Sequence, residues 1–204
     1  MHYFYHRSQT STDTFILLHG SAGRESDLLD IAGDLDVSFS VIGLRGEVRD
    51  EKGFRYFSRP IKGAFDYEDI TYRTEQIHQT IDTLLAEKEL PHGKRHLIGY
   101  SNGANIATSL LLTHPNDYTS AVLFHPSNLF QNPKEVHLSH TKIFISAGAT
   151  DTLVAPGEAF ALQTQLNQFG AETKLSLTDY GHALTNADIE EATKWWKSIY
   201  GGAI

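Results

Sequence analysis

Short apolar runs alternate along the chain with longer stretches whose apolar positions recur every three or four residues. TFILL (Thr14–Leu18) is uninterrupted by charge and ends at the turn HGSAG, the pattern of a strand covered on both faces. A helix fits Ser26 to Asp34, with Leu28, Leu29, Ile31 and Ala32 as its apolar positions, and FSVIGL (Phe39–Leu44) reads as the next strand. Between Tyr67 and Leu90, residues Ile70, Ile77, Ile81, Leu84 and Leu85 fall on one face of a long amphipathic helix. Asp66, Glu68 and Asp69 suit its N-terminal end, where the helix dipole favours negative charge. Pro91 and Gly93 end it.

RHLIGY (Arg95–Tyr100), SAVLF (Ser120–Phe124), KIFISAG (Lys142–Gly148) and TKLSLT (Thr173–Thr178) supply further strands. Helices are expected from about Asn102 to Thr113, from Gly157 to Phe169 and from Asp188 to Tyr200, and the opening HYFYHRS adds an edge strand. A repeated β-then-α rhythm implies an α/β fold, with a mostly parallel central sheet and helices on both faces. Neither a repeat nor a linker interrupts it, so one domain over residues 1–204 is expected.

Charge and composition narrow the function. A net charge of −8 argues against non-specific nucleic-acid binding, which needs Lys and Arg against phosphates. No apolar stretch approaches the roughly 18 residues of a membrane span, and MHYFYHRSQT lacks the apolar run of a secretory leader. The chain has no cysteine, which excludes disulfides, thiolate nucleophiles and thiolate metal sites. A cytoplasmic protein is the expectation, with no metal. LRGEVRDEKGFRYFSRPIK runs against the overall charge, with Arg45, Arg49, Lys52, Arg55, Arg59 and Lys62 facing only Glu47, Asp50 and Glu51. It reads either as a solvated loop or as a segment beside a pocket, because Phe54, Tyr56 and Phe57 are interleaved with its cations.

The candidate chemistry lies in LIGYSNGAN, where G-x-S-x-G joins a strand to a helix. In this nucleophile-elbow pattern the serine, Ser101, sits on a sharp turn, and Gly99 and Gly103 leave room for the neighbouring strand and helix. A serine hydroxyl needs a base to take its proton, and on this architecture an acid and then a histidine follow in chain order. Asp151, in the loop after KIFISAG, and His182, in the turn TDYGHALT, arrive in that order. His182 is the expected base and Asp151 the group that fixes its tautomer. With 11 histidines present, His125 in LFHPS is a rival base, although a pocket-lining role suits it better. Asp179 lies too near His182 in sequence to be the favoured acid. An oxyanion hole requires two backbone N–H groups, expected from Asn102 after the serine and from Ser21 in the turn LLHGSAG. Phe54, Phe57, Arg59 and His125 are the expected substrate contacts.

LLHGSAG, GLRGEV, GFRYFSR, GYSNGAN, AGATDTLV and GHALT together resemble the α/β-hydrolase superfamily. They are most similar to its small phospholipase/carboxylesterase branch, in particular the bacterial hydrolases of quinone- and hydroquinone-responsive operons. The resemblance runs from about Thr14 to Tyr200. It implies a cofactor-free carboxylesterase acting through Ser101, Asp151 and His182, with Ser21 and Asn102 as oxyanion donors and no large cap domain. Where relatives often carry a second glycine and acidic residues after the oxyanion turn, this chain has SAGRES, so Ala22 and Arg24 alter the pocket entrance. The implied substrate is a small, short-chain or aromatic ester. A thioesterase or lysophospholipase-type acyl hydrolase would use the same residues, and a non-catalytic ligand-binding protein is a third reading. A dienelactone-type hydrolase would want a cysteine, which is missing. A homodimer is compatible with the sequence.

Overall fold

The computed structural model describes residues 1–90, 92–130 and 136–201. The strands are β1 (Tyr3–His6), β2 (Thr14–Leu18), β3 (Ser40–Leu44), β4 (Val48–Asp50), β5 (Gly53–Arg55), β6 (Arg95–Tyr100), β7 (Ser120–Phe124), β8 (Lys142–Gly148) and β9 (Glu172–Thr178). The helices are α1 (Leu29–Leu35), α2 (Tyr67–Glu87), α3 (Asn102–Thr113), α4 (Pro156–Gln168) and α5 (Asn186–Tyr200). Seven strands form one sheet in the order β1-β3-β2-β6-β7-β8-β9. All neighbours pair in parallel except β1, which adds antiparallel to β3.

Burial explains why the strands read as continuous apolar runs. Ile16, Leu18, Leu97, Leu123 and Ile145 face a core shared with α2, α3 and α4, while Phe15, Leu17, Ile98, Val122 and Phe144 face a second core shared with α1 and α5. Alternate residues of one strand therefore enter different cores, and both must be apolar. Chain order runs outward from β2 to β3, then returns through α2 to β6 on the other side of β2. The reversal creates a crevice between the carboxyl ends of β2 and β6, the usual ligand position in an open α/β sheet.

Several boundaries shift by one or two residues, and three segments depart further from the sequence expectation. The first helix begins at Leu29 rather than Ser26, because an Asp27 carboxylate oxygen accepts the Arg24 N–H at 2.8 Å and closes a turn there first. The long helix stops at Glu87, where the chain turns through Glu89 at φ 59°. The stop expected at Pro91 lies outside the described residues. The basic segment is no simple loop, since β4 and β5 pair there as a small hairpin. Among the described residues, no helix is long and apolar enough to cross a membrane.

Candidate active site

At the end of β6 the Ser101 N–H bonds Phe124 O at 2.8 Å, continuing the ladder by one step. The backbone then turns at φ 52° and ψ −114° into α3. A non-glycine residue at positive φ is uncommon and costs on the order of 1–3 kcal/mol, so the surrounding packing must enforce it. Two glycines make that packing feasible. A Cβ on Gly103 would lie 2.0 Å from Leu18 O, and one on Gly99 would lie 2.7 Å from Ala104 Cα.

The other two residues come from turns after β8 and β9. Ser101 Oγ is 2.8 Å from His182 Nε2, and His182 Nδ1 is 2.6 Å from Asp151 Oδ2. His182 thus turns toward Asp151 rather than toward Asp179. The remaining Asp151 oxygen, Oδ1, accepts the N–H groups of Leu153 at 2.8 Å and Val154 at 2.9 Å. Burial by itself would raise the pKa of this carboxyl. Bonds from the Val154 N–H, the His182 ring and the Leu153 N–H outweigh it and hold Asp151 below the usual carboxylate range. Asp151 is therefore an ionised acceptor. The Tyr100 hydroxyl donates to His182 O at 2.8 Å and anchors the turn that carries the imidazole.

The turn after β2 is braced from beneath. Gly46 N–H donates to His19 Nε2 at 3.0 Å, which leaves the proton on Nδ1 to bond Gly20 O at 2.6 Å. Burial lowers the His19 pKa and keeps the ring in that neutral form. His19 N–H donates to the Tyr56 hydroxyl, which donates in turn to Leu44 O, while Tyr56 N–H bonds Asn102 Oδ1 at 2.7 Å. The N–H groups of Ser21 and Asn102 enter no turn, cap or loop hydrogen bond among the described residues.

The hairpin segment carries three of the residues expected to contact substrate. Phe57 is 1% exposed and packs edge-on against Phe65 inside the core, so it cannot form an open pocket wall. Tyr56 is buried in the brace just described. Phe54 is half-buried; its carbonyl accepts the Ala22 N–H at 2.9 Å, and the Arg45 guanidinium lies 5.3 Å from its ring centre. Arg59 is exposed and paired with Asp50 at 2.7 Å. Tyr56, through its hydroxyl, and Phe54, through its carbonyl, support the turn after β2. The His125 side chain is 0% exposed and lies between Asp151 and Asp188, again without an open face. Sequence reading missed Tyr100, Asp188 and the Leu153 and Val154 N–H groups. Only Asp188 had a visible signal, the capping-box pattern T-x-x-D from Thr185.

A cavity of about 380 Å³ adjoins the Asp151 loop, lined by Phe65, Tyr67, Leu129, Leu153, Val154 and Glu158 among others. Two groups of metal-ligand type bring their donor atoms within 4.8 Å among the described residues. In the first, His125–Asp151–His182, both His182 nitrogens are already engaged by Ser101 and Asp151. In the second, the His78 and His114 rings stack at 3.5 Å with 12° between planes, and His78 Nε2 and His114 Nδ1 stand 3.4 and 3.9 Å from Asp117 Oδ2.

Comparisons with known proteins place the chain in a family. Residues 59–199 match the phospholipase/carboxylesterase family model. MhqD of Bacillus subtilis (strain 168) is 34% identical over 188 residues, which cover 92% of this chain and 94% of MhqD. A Bacillus cereus carboxylesterase superposes with a TM-score of 0.93 at 32% identity, over 98% of this chain and 95% of that one. A Mesorhizobium loti carboxylesterase gives 0.82 at 29% identity, over 91% and 88%. The chain belongs to the phospholipase/carboxylesterase family of α/β-hydrolases.

Proposed function

We propose that the protein is a serine carboxylesterase that hydrolyses small esters through an acyl-enzyme intermediate. Ser101 Oγ attacks the ester carbonyl carbon while His182 Nε2 takes its proton. Asp151, ionised and bonded to Nδ1, holds the ring tautomer and stabilises the imidazolium that forms. Negative charge gathers on the former carbonyl oxygen, where the Ser21 and Asn102 N–H groups receive it at the positive end of α3. Collapse of this intermediate breaks the bond to the alcohol, which leaves with the proton from His182. Water then repeats the sequence on the acyl-enzyme and frees Ser101.

The line Ser101 Oγ–His182 Nε2–Asp151, with separations of 2.8 and 2.6 Å, carries this reading. The cavity beside the Asp151 loop supports a modest substrate, since its volume is at the lower end of small-molecule sites. Phe65, Leu129, Leu153 and Val154 in its mixed lining suit a short or aromatic group, and Glu158 disfavours an anionic one.

Labelling with a fluorophosphonate tests the reading. Wild type is expected to label and Ser101→Ala to remain blank, after which a series of esters of increasing acyl length should favour the short members. Folded wild-type protein that does not label would overturn the proposal.

A further inference from the structure

A second imidazole–carboxylate pair lies directly behind Asp151. His125 follows β7, its N–H bonds Ser146 O at 2.9 Å, and its backbone turns at φ 52°. The ring is sealed from solvent, with Nε2 3.2 Å from Asp188 Oδ1 and Nδ1 3.6 Å from Asp151 Oδ2. Asp188 is sealed as well. Its second oxygen, Oδ2, accepts the Thr185 N–H at 3.0 Å and the Thr185 hydroxyl at 2.6 Å, closing the capping box of α5. Capping acids normally sit at a helix surface, and burial alone would raise the pKa of this one. Bonds from His125 and Thr185 outweigh burial, so Asp188 stays ionised.

The ionised Asp188 can only accept, so the short side of His125 is an Nε2–H donated to Asp188 Oδ1. Nδ1 stands at 3.6 Å from Asp151, outside hydrogen-bond reach, and has no hydrogen-bond partner among the described residues. Asp151 Oδ2 therefore gives its short bond to His182 alone. An isolated carboxylate behind Asp151 would be costly in this dry region, and so would an empty space.

We propose that His125 and Asp188 are positioning residues for the Ser101 site: Asp188, fixed by the α5 capping box, keeps the His125 proton on Nε2, and the anchored ring holds Asp151 with its Oδ2 reserved for His182. The inference rests on the esterase reading given above. Neither residue meets substrate. Both act through Asp151.

Asp188→Asn provides the sharpest test, because Thr185 dictates how the amide must lie. The Thr185 N–H can only donate, so the Asn oxygen takes the capping position and the NH₂ group faces His125 Nε2. That ring nitrogen must then accept, which moves the proton to Nδ1 and aims it at Asp151. We expect kcat on a short-chain ester to fall on the order of 10-fold, because a slight misplacement of Asp151 misplaces His182, with KM unchanged. Imidazole ¹⁵N shifts at neutral pH should show His125 Nε2 protonated in wild type and proton-free in Asp188→Asn. His125→Gln keeps an amide donor for Asp188 and should retain more activity than His125→Ala; it also serves if Asp188→Asn fails to fold. In an Asp151→Asn background, neither substitution should lower the fluorophosphonate labelling rate further. A His125 Nε2 without a proton in wild type, unchanged kcat in both variants, or an undiminished further loss in the Asp151→Asn background would each overturn the proposal. If labelling depends on Ser101 and these variants behave as wild type, the positioning role alone fails and the esterase reading stands.

Discussion

Ser101 follows β6 and His125 follows β7, and the two backbones take the same path. Each sends one last N–H to the neighbouring strand, to Phe124 O and Ser146 O, and each then turns at φ 52°. What surrounds the two side chains is different. Ser101 meets an imidazole that is 16% exposed, whose far nitrogen is backed by a carboxylate, so a proton has somewhere to go and a reactant can arrive. His125 is 0% exposed between two carboxylates, beyond the reach of any substrate. One strained turn thus serves two purposes on adjacent strands. It presents a reactive group where the crevice is open, and it directs a clamp inward where helix α5 closes the rim.

The largest effects should separate the two turns by rate. Ser101→Ala is expected to lower kcat/KM by on the order of 10⁴–10⁶, and Asp151→Asn to lower kcat by about 10⁴, both read in an ester hydrolysis assay. Asp188→Asn, one ring further back, should cost only the 10-fold given above. Similar losses from Asp151→Asn and Asp188→Asn would mean that the two carboxylates are not ranked as their distances from Ser101 suggest.

Much of the open turn was legible in the sequence, and little of the sealed one was. Gly99, Ser101 and Gly103 lie within five residues, so the steric demand of the elbow is written locally. The order of Asp151 and His182 follows from the parallel topology, which the strand runs already imply. His125 and Asp188 are 63 positions apart, and nothing local marks either as buried beside the other. The basic hairpin was less legible for a related reason. Its cations suggested a solvated or ligand-facing loop, whereas the Tyr56 hydroxyl and the Phe54 carbonyl bond the turn after β2 and make the segment a brace. Charge along a sequence does not show which face of a short strand is covered.

Relief of backbone strain offers a second way to tell the turns apart. In Ser101→Gly the strained dihedral becomes permissible, worth on the order of 1–3 kcal/mol, less the roughly 0.5–1 kcal/mol cost of a more flexible chain. A gain near 1 kcal/mol in urea unfolding is expected, with activity abolished. The same change at His125 removes one partner of a buried pair and should destabilise the fold by about 3–5 kcal/mol. Equal effects at the two positions would show that the matching φ values conceal different strain.

Acid should unfold the protein in two stages with different owners. Burial pushes the His96 pKa down to about 4, and it lowers those of His19 and His78 in the same direction. An imidazole that stays neutral in the fold protonates more readily when unfolded. Stability therefore declines as pH falls from about 6.5 to about 4 and levels off below, by up to about 3 kcal/mol for His96. Asp151 and Asp188 have the opposite origin, with pKa values held below the ordinary carboxylate range by hydrogen bonds that overcome burial. Their stabilisation is complete above about pH 4 and disappears as pH falls through their lower folded values. Urea unfolding across pH should show both declines, and Asp188→Asn should flatten the lower one while leaving the upper one in place. A flattened upper decline would place Asp188 in the wrong network.

The smallest expected effect tests what the basic hairpin does. Arg59 is 66% exposed, and its partner Asp50 also has the Arg55 guanidinium at 3.5 Å. A pair so open to water contributes little, and Asp50 keeps a cationic neighbour when Arg59 is removed. Arg59→Ala should therefore leave both the melting temperature and the relative rates across a panel of neutral and anionic esters unchanged. Tyr56→Phe, by contrast, removes the hydroxyl that accepts the His19 N–H and donates to Leu44 O, and it should lower kcat by loosening the Ser21 turn. An Arg59→Ala enzyme that loses activity specifically on anionic esters would restore the hairpin as a substrate contact and reverse its assignment as a brace.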